Sequence, residues 1–350
     1  MTGRGILALA LVSLVLGACA RDPAMKAWTD RWLIAERHLI RDEHPMARGH
    51  FVILEQTALN PHDAADARLR LAEVARRSGD HATYESMLET EARNSGDLDA
   101  EQRARIRWYW SRAVADGGDE PKAEAMMERL MDTQPNSAFA ARAFVYLLGV
   151  GRQRDPAAFA AWCEAKYAQH HGTELADNLL YEAGRIGWES DTPKGDALAE
   201  RLLTKIVDKW VLETSGLWDD AVWDLSNLFH KQKRYKDEVR MLRLLLSSRS
   251  VTWLGSQQIK NYRFAYMRIG QLLYQVDGLY IQAADHFAQY EVIWPDSVLV
   301  DDNLWWQGHA LKRAGKTVQA ERIFQRIDRE FGDFKFARYL REGRPGPVGP

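Results

Sequence analysis

Histidine is the residue type best suited to metal binding or acid–base catalysis near neutral pH, and this chain has ten of them. His38, His44 and His50 recur at six-residue steps, which on one helix would point their side chains to different faces. His170 and His171 are adjacent and would point about 100° apart. The sequence also lacks an H-E-x-x-H motif, a Cys–His pair and a nucleophile elbow. We therefore predict no metal site, no cofactor and no enzymatic activity.

Paired aspartates could also do acid–base chemistry. The pairs Asp219-Asp220 and Asp301-Asp302 each stand at the start of a predicted helix. Carboxylates in the first turn of a helix interact favourably with its macrodipole, by about 0.3–1 kcal/mol each. We assign both pairs to helix starts rather than to catalysis.

Composition excludes several classes of protein. The chain has 350 residues, with Lys+Arg 47 against Asp+Glu 49 and 46% hydrophobic content, so it can build a sizeable core. A formal net charge of -2 argues against nucleic acid as a partner. Two cysteines cannot form a disulfide framework.

The first residues are predicted to be a targeting segment. After Arg4, residues 6–16 form an apolar run that only Ser13 interrupts, which is typical of a signal-peptide h-region. A membrane-spanning helix needs about 20 apolar residues. Residues 5–20 number only sixteen, so a spanning helix is the weaker interpretation.

The string Leu16-Gly17-Ala18-Cys19 resembles the lipobox of bacterial lipoproteins. The resemblance implies a lipoprotein signal peptide over residues 1–18, lipid on Cys19 and a tether over residues 19–26. Ala20 follows the cysteine in place of an aspartate, which in enteric members of this family implies the outer membrane, so we expect an outer-membrane anchor with the chain facing the periplasm. The alternative is an ordinary secretory signal that is cut near Ala18 or Ala20.

Amphipathic helical segments separated by brief turns fill the rest of the chain, with almost no alternating strand pattern. Signals such as Asn60-Pro61 and Asp155-Pro156 mark the turns. We predict an all-α chain of helix pairs. Cys163, left without an intrachain partner if Cys19 carries lipid, is expected to be a packed core thiol. Residues 342–350 have one valine among Gly, Pro and charged residues and are predicted to be disordered.

A repeat of about 34 residues built from two helices is visible in the C-terminal part of the chain. In residues 301–334, small residues fall at the eighth and twentieth positions, Gly308 and Ala320, with Leu311 and Phe324 between and after them. This pattern resembles the tetratricopeptide repeat. Further units begin at Arg263, Asp219 and Ala104, and the unit from Asp219 departs from the pattern because Glu238 replaces its second small residue.

The resemblance implies a right-handed α-solenoid, with degenerate helical repeats over residues 27–212 and tetratricopeptide repeats over residues 213–341. The string over residues 295–308 is similar to repeats of envelope lipoproteins, such as the lipoprotein of the β-barrel assembly machine and the Tol-associated periplasmic coordinator.

The repeat also implies a binding groove. In tetratricopeptide folds, positions two, five, nine and twelve of each first helix line the concave face, where aromatic and polar side chains hold peptide segments. The predicted groove residues in this chain are Trp108, Trp223, Asn227, His230, Tyr274, Trp305, His309 and Lys312. The alternative, which a total of thirteen tryptophans favours, is that the rings pack against adjacent repeats.

Together these patterns predict a lipid-anchored scaffold or adaptor of the cell envelope. Its expected partner is an envelope protein or peptide segment, with membrane contact through Cys19 and with no nucleic acid or small-molecule substrate evident. The alternative is a superhelical module related to soluble lytic transglycosylases, which would act on or near peptidoglycan through a partner enzyme.

Overall fold

The computed structural model of the protein describes residues 22–248 and 259–348. These residues form α-helices joined by turns, and no strand occurs among them. The predicted signal peptide and Cys19 lie outside the described residues, as do residues 349–350. The predicted all-α fold of tetratricopeptide-like helix pairs is confirmed.

The helices divide between two compact units. One unit comprises the described residues up to Arg154 together with Gly172–Leu175, and the other comprises Asp155–His171 and the described residues from Ala176 onward. The first unit holds α1 (Pro23–Ile40), α2 (His44–Gln56), α3 (Pro61–Arg77), α4 (His81–Arg93), a 3-10 turn (Ser95–Asp97), α5 (Ala100–Asp116), α6 (Glu120–Thr133) and α7 (Ala138–Arg154). The second holds α8 (Pro156–His170), α9 (Ala176–Glu189), α10 (Pro193–Lys209), α11 (Trp218–Lys231), α12 (Tyr235–Ser247), α13 (Ile259–Gln275), α14 (Tyr280–Ile293), α15 (Val300–Arg313), α16 (Thr317–Glu330) and α17 (Lys335–Arg341).

Several helices begin at a capping side chain followed by proline. The Asn60 side chain accepts a hydrogen bond from the Asp63 backbone N–H at 2.9 Å, and Pro61 opens α3. The Asp155 side chain does the same for the Ala158 N–H at the start of α8. A cap of this kind satisfies a backbone donor that has no partner within the helix. The predicted turns therefore fix the helix boundaries.

Consecutive helices pack against each other within each unit. The first helices of successive pairs also touch: α5 contacts α7, α11 contacts α13, and α13 contacts α15. This second set of contacts joins the first helices of the C-terminal pairs into one continuous face. The predicted division into degenerate repeats before residue 213 and regular repeats after it stays a prediction.

Small residues stand where the two helices of a pair approach most closely. A Cβ on Gly308 would lie 2.8 Å from Cδ1 of Phe324, and a Cβ on Gly270 would lie 2.6 Å from Cε1 of Phe287. Ala320 is 0% exposed. These contacts confirm that the eighth and twentieth positions are small because the facing helix leaves no room for a larger side chain.

Gly308→Ala is expected to lower the free energy of unfolding by about 1–3 kcal/mol, because the added methyl group overlaps the Phe324 ring. The matched control is Gly149→Ala in α7, where nothing lies within 4 Å of an added Cβ. That change should raise stability by up to about 1 kcal/mol, since alanine is the better helix former. Chemical denaturation of both variants measures the two changes in the free energy of unfolding. Equal and small effects would show that α15 and α16 are not in close contact at Gly308.

Cys163 lies in the interior of the second unit and is 0% exposed. Burial raises the pKa of its thiol above the ordinary value. The prediction of a packed core thiol is confirmed.

Within the described parts of the chain, none of the helices combines the length and apolar character needed to cross a membrane.

Candidate functional site

The predicted groove residues are divided between the two compact units. Trp108 belongs to α5 in the first unit, and the other seven belong to α11, α13 and α15 in the second. Because α11, α13 and α15 contact one another in order, their residues share one face. We call this surface the first-helix face and define it by positions two, five, nine and twelve of the repeat units that begin at Asp219, Arg263 and Asp301, whose first helices are α11, α13 and α15.

Trp108 is partly exposed in a small aromatic cluster of its own. Its ring centroid lies 5.0 Å from that of Tyr109 and 6.0 Å from that of Phe139. The Arg142 guanidinium lies 5.6 Å from the Trp108 ring centroid, within range of a cation–π contact. Trp108 therefore has both packing contacts and remaining exposed surface.

On α11 the first-helix face is open. Trp223 and Asn227 are partly exposed, and the side chain of His230 is 45% exposed. On the neighbouring α13, Phe264 and Met267 are also partly exposed. Exposed aromatic and thioether groups beside amide and imidazole groups are suited to contacts with a protein segment.

Glu238 lies beneath this open part and is 0% exposed. Its Oε2 is 2.9 Å from Nδ1 of His230, and its Oε1 accepts a hydrogen bond from Nε of Arg268 at 2.8 Å. The ion pair with Arg268 joins α12 to α13, and the contact with His230 joins α12 to α11. Glu238 occupies the repeat position that is otherwise small, and its buried carboxylate is accommodated because charged and polar partners surround it.

On α15 the first-helix face is covered at Trp305, which corrects the prediction that this residue lines an open groove. Trp305 is 4% exposed. Its ring centroid lies 5.1 Å from that of Phe336 and 6.1 Å from that of Tyr339, both in α17. The C-terminal helix folds back onto α15 and seals the ring, so Trp305 is a core residue.

Tyr274 requires the same correction, because it is 1% exposed. Its ring packs against Trp306 and Tyr280 at centroid distances of 5.6 and 5.2 Å. Its hydroxyl donates a hydrogen bond to the backbone carbonyl of Pro347 at 3.0 Å. The groove position is therefore filled by the chain's own C-terminal residues.

His309 is partly exposed, and Lys312 is exposed. Burial, together with the nearby positive charges of Lys312 and Arg313, lowers the pKa of His309 to about 4. The imidazole is therefore neutral at physiological pH. Its Nε2 is buried and has no hydrogen-bond partner among the described residues. His309 thus carries a buried imidazole nitrogen that makes no hydrogen bond with the described residues.

The paired aspartates lie in the first turns of α11 and α15, as predicted. Burial, together with the adjacent Asp301 carboxylate, raises the pKa of Asp302 to about 6. Burial likewise raises the pKa of Asp219 and of Asp220. Among the described residues, no group of three His, Cys, Asp or Glu side chains is arranged to hold a metal ion.

One contact between histidines contradicts the sequence-based expectation. His38 and His50 were expected to point to different faces, yet their rings stack at a centroid distance of 5.3 Å. The reason is that the three histidines do not share a helix: α1 ends at Ile40 and α2 begins at His44. Burial lowers the pKa of His50, and the neighbouring His38 and Arg31 lower it further. A helical period cannot reveal a contact formed across a turn.

No family model and no curated protein matches this chain. Solved structures similar to it include Naa15/Naa10 bound to HypK-THB (TM-score 0.43, 15% identity, covering 90% of this chain and 44% of that chain). They also include a STAND protein with a tetratricopeptide repeat sensor from Pyrococcus horikoshii (TM-score 0.44, 12% identity, covering 95% of this chain and 53% of that chain). A third is the P58(IPK) TPR domain (TM-score 0.28, 14% identity, covering 88% of this chain and 84% of that chain). The chain spans about half the length of the first two.

Proposed function

We propose that this chain is a lipid-anchored scaffold of the cell envelope that binds partner proteins through the first-helix face of its C-terminal helix pairs. The observation that carries the proposal is the open part of that face on α11 and α13. There Trp223, Phe264 and Met267 combine large apolar groups with the polar Asn227 and keep part of their surface exposed. Aromatic anchors flanked by polar groups are typical of protein-binding surfaces.

The proposed anchor is lipid on Cys19, and its basis is the lipobox-like sequence. The first described helix supports it in one respect. Three large apolar side chains of α1 are exposed, namely Leu33 at 51%, Ile34 at 41% and Ile40 at 71%. Pro23 is four residues from Cys19, so a lipid there would hold the start of α1 within about 15 Å of the bilayer surface. If α1 lies along the bilayer surface, its exposed apolar groups add to membrane affinity.

Capture from detergent-solubilised envelope tests the proposed binding face. Tagged full-length protein should retain a defined set of envelope proteins, and Trp223→Ala should weaken that retention by about 2 kcal/mol, or roughly thirtyfold in Kd. The reason is that the partly exposed ring supplies contact area at the centre of the open face.

Val292→Ala is the matched control, because Val292 is 77% exposed on the second helix α14. It should retain the same proteins as wild type. Equal retention by all three proteins would show that the partner binds elsewhere. A lytic band from the purified protein on peptidoglycan zymography would contradict a scaffold role.

A further inference from the structure

The chain reverses direction after α17. Gly343 has a φ of 63°, in the left-handed region that suits glycine, and its N–H donates to the Leu340 carbonyl at 3.1 Å. The Arg344 N–H then donates to the Tyr339 carbonyl at 2.9 Å. Residues 342–350 are predicted to be disordered, but in the structure residues 342–348 run back across α15 to α13.

Gly346 lies directly on the His309 ring. A Cβ at this position would be 2.8 Å from Cγ of His309 and would overlap the ring atoms Nδ1 and Cε1. Any side chain here would have to displace either the imidazole or the segment. The contact therefore requires glycine because backbone, and not side chain, must pack against the ring.

Two prolines flank that glycine. The Pro347 carbonyl accepts the hydrogen bond from the buried Tyr274 hydroxyl at 3.0 Å. Pro345 and Pro347 have no N–H, and their fixed φ favours an extended backbone that presents carbonyl acceptors. Upstream, the Arg344 guanidinium lies 4.3 Å from the ring centroid of Tyr339. The segment is thus recognised by an aromatic ring, an imidazole face and one hydroxyl donor.

We propose that Tyr274 and His309 of the first-helix face, together with Tyr339 of α17, form a binding site for an extended Pro-Gly-Pro segment of a partner protein. The chain's own residues 344–348 are the resident occupant that such a segment displaces. This inference rests on the proposed function, since it names the chemistry of a partner for the same face.

Exchange at this site is feasible because the resident segment is lightly held. Val348 is 77% exposed, so its side chain contributes little buried area to the contact. A tethered segment competes at an effective concentration of the order of millimolar, so a partner segment that binds the site more tightly than the resident segment can displace it.

The test uses full-length protein and a fluorescein-labelled peptide with the sequence of residues 342–348. Gly346→Ala in the protein should expel the resident segment and leave the site open. The labelled peptide should then bind this variant at least about tenfold more tightly than it binds wild type, because the tethered competitor is removed. Val318→Ala, which changes a 69% exposed residue of α16 outside the site, should behave as wild type.

Two further arms make the result decisive. In the first, Tyr274→Phe introduced together with Gly346→Ala should weaken peptide binding, because it removes the hydroxyl donor. In the second, a peptide carrying alanine at the Gly346 position should bind the Gly346→Ala protein at least about tenfold more weakly than the original peptide does. Unchanged thermal midpoints would show that the variants are folded. Equal peptide affinity for wild type and Gly346→Ala, or no binding to Gly346→Ala up to about 1 mM peptide, would overturn the inference. Either result leaves the envelope capture by the α11 surface as a separate question.

Discussion

Trp305→Ala is expected to lower the free energy of unfolding by about 3–5 kcal/mol, the cost of deleting a large buried aromatic ring. The indole is 4% exposed and packs on Phe336, Tyr339 and Phe324 at centroid distances of 5.1, 6.1 and 6.5 Å. Its removal leaves a cavity at the contact between α15 and α17. Chemical denaturation monitored by circular dichroism measures the loss.

Trp223→Ala is the matched control, because the same side chain is deleted at the equivalent position of another repeat. Trp223 already has part of its surface exposed in the folded protein, so its loss should cost clearly less than that of Trp305. If the two variants lose the same stability, or if Trp305→Ala loses less than about 1 kcal/mol, the ring is not sealed by α17 as described.

Cys19→Ala is expected to convert the protein from fully membrane-bound to fully soluble in the periplasmic fraction. Each buried methylene of an acyl chain contributes about 0.8 kcal/mol, so two or more chains hold a protein on the membrane almost irreversibly. Without them, the exposed apolar groups of α1 supply much less membrane affinity. Metabolic labelling with a lipid precursor measures acylation, and fractionation then measures attachment to the membrane. Cys163→Ala is the control, because that thiol is buried in the second unit and should take no label. A Cys19→Ala variant that stays with the membrane would show that the anchor lies elsewhere.

The repeat pattern was sufficient to predict the helix pairs because its information is local. Gly308 faces Phe324 sixteen positions later, within one repeat, and both residues could be recognised from spacing alone. Caps such as Asn60 and Asp155 act over three residues. Properties that depend on one turn or one helix pair were therefore accessible from the sequence.

Contacts between repeats were not accessible in this way. Glu238 departs from the repeat pattern, and only its pairing with Arg268, thirty residues away, explains how a carboxylate is buried there. Trp223 and Trp305 share a position in the pattern but differ in exposure, because α17 covers only the second of them. The return of Gly346 onto His309 has no periodic signal at all.

The predicted groove residues therefore include an accessible group and a group that the rest of the chain covers. Asn227 and His230, with Trp223, lie on an accessible surface, whereas Trp305 and Tyr274 lie beneath the chain's own C-terminal residues. In the proposed binding mode, a partner contacts Trp223 and its neighbours in the resting protein, whereas Tyr274 becomes available only when residues 344–348 leave. Trp305 stays covered by α17 in either case.

Hydroxyl-radical footprinting of Trp223 and Trp305 tests the proposed binding face most directly, because it compares the same side chain in the purified protein and in intact envelope, whatever the identity of the partner. In the purified protein, Trp223 should be oxidised readily, while the 4% exposed Trp305 should be protected. In intact envelope, Trp223 should become protected as well, since a bound partner covers it. Equal oxidation of Trp223 in both settings would contradict partner binding at the first-helix face.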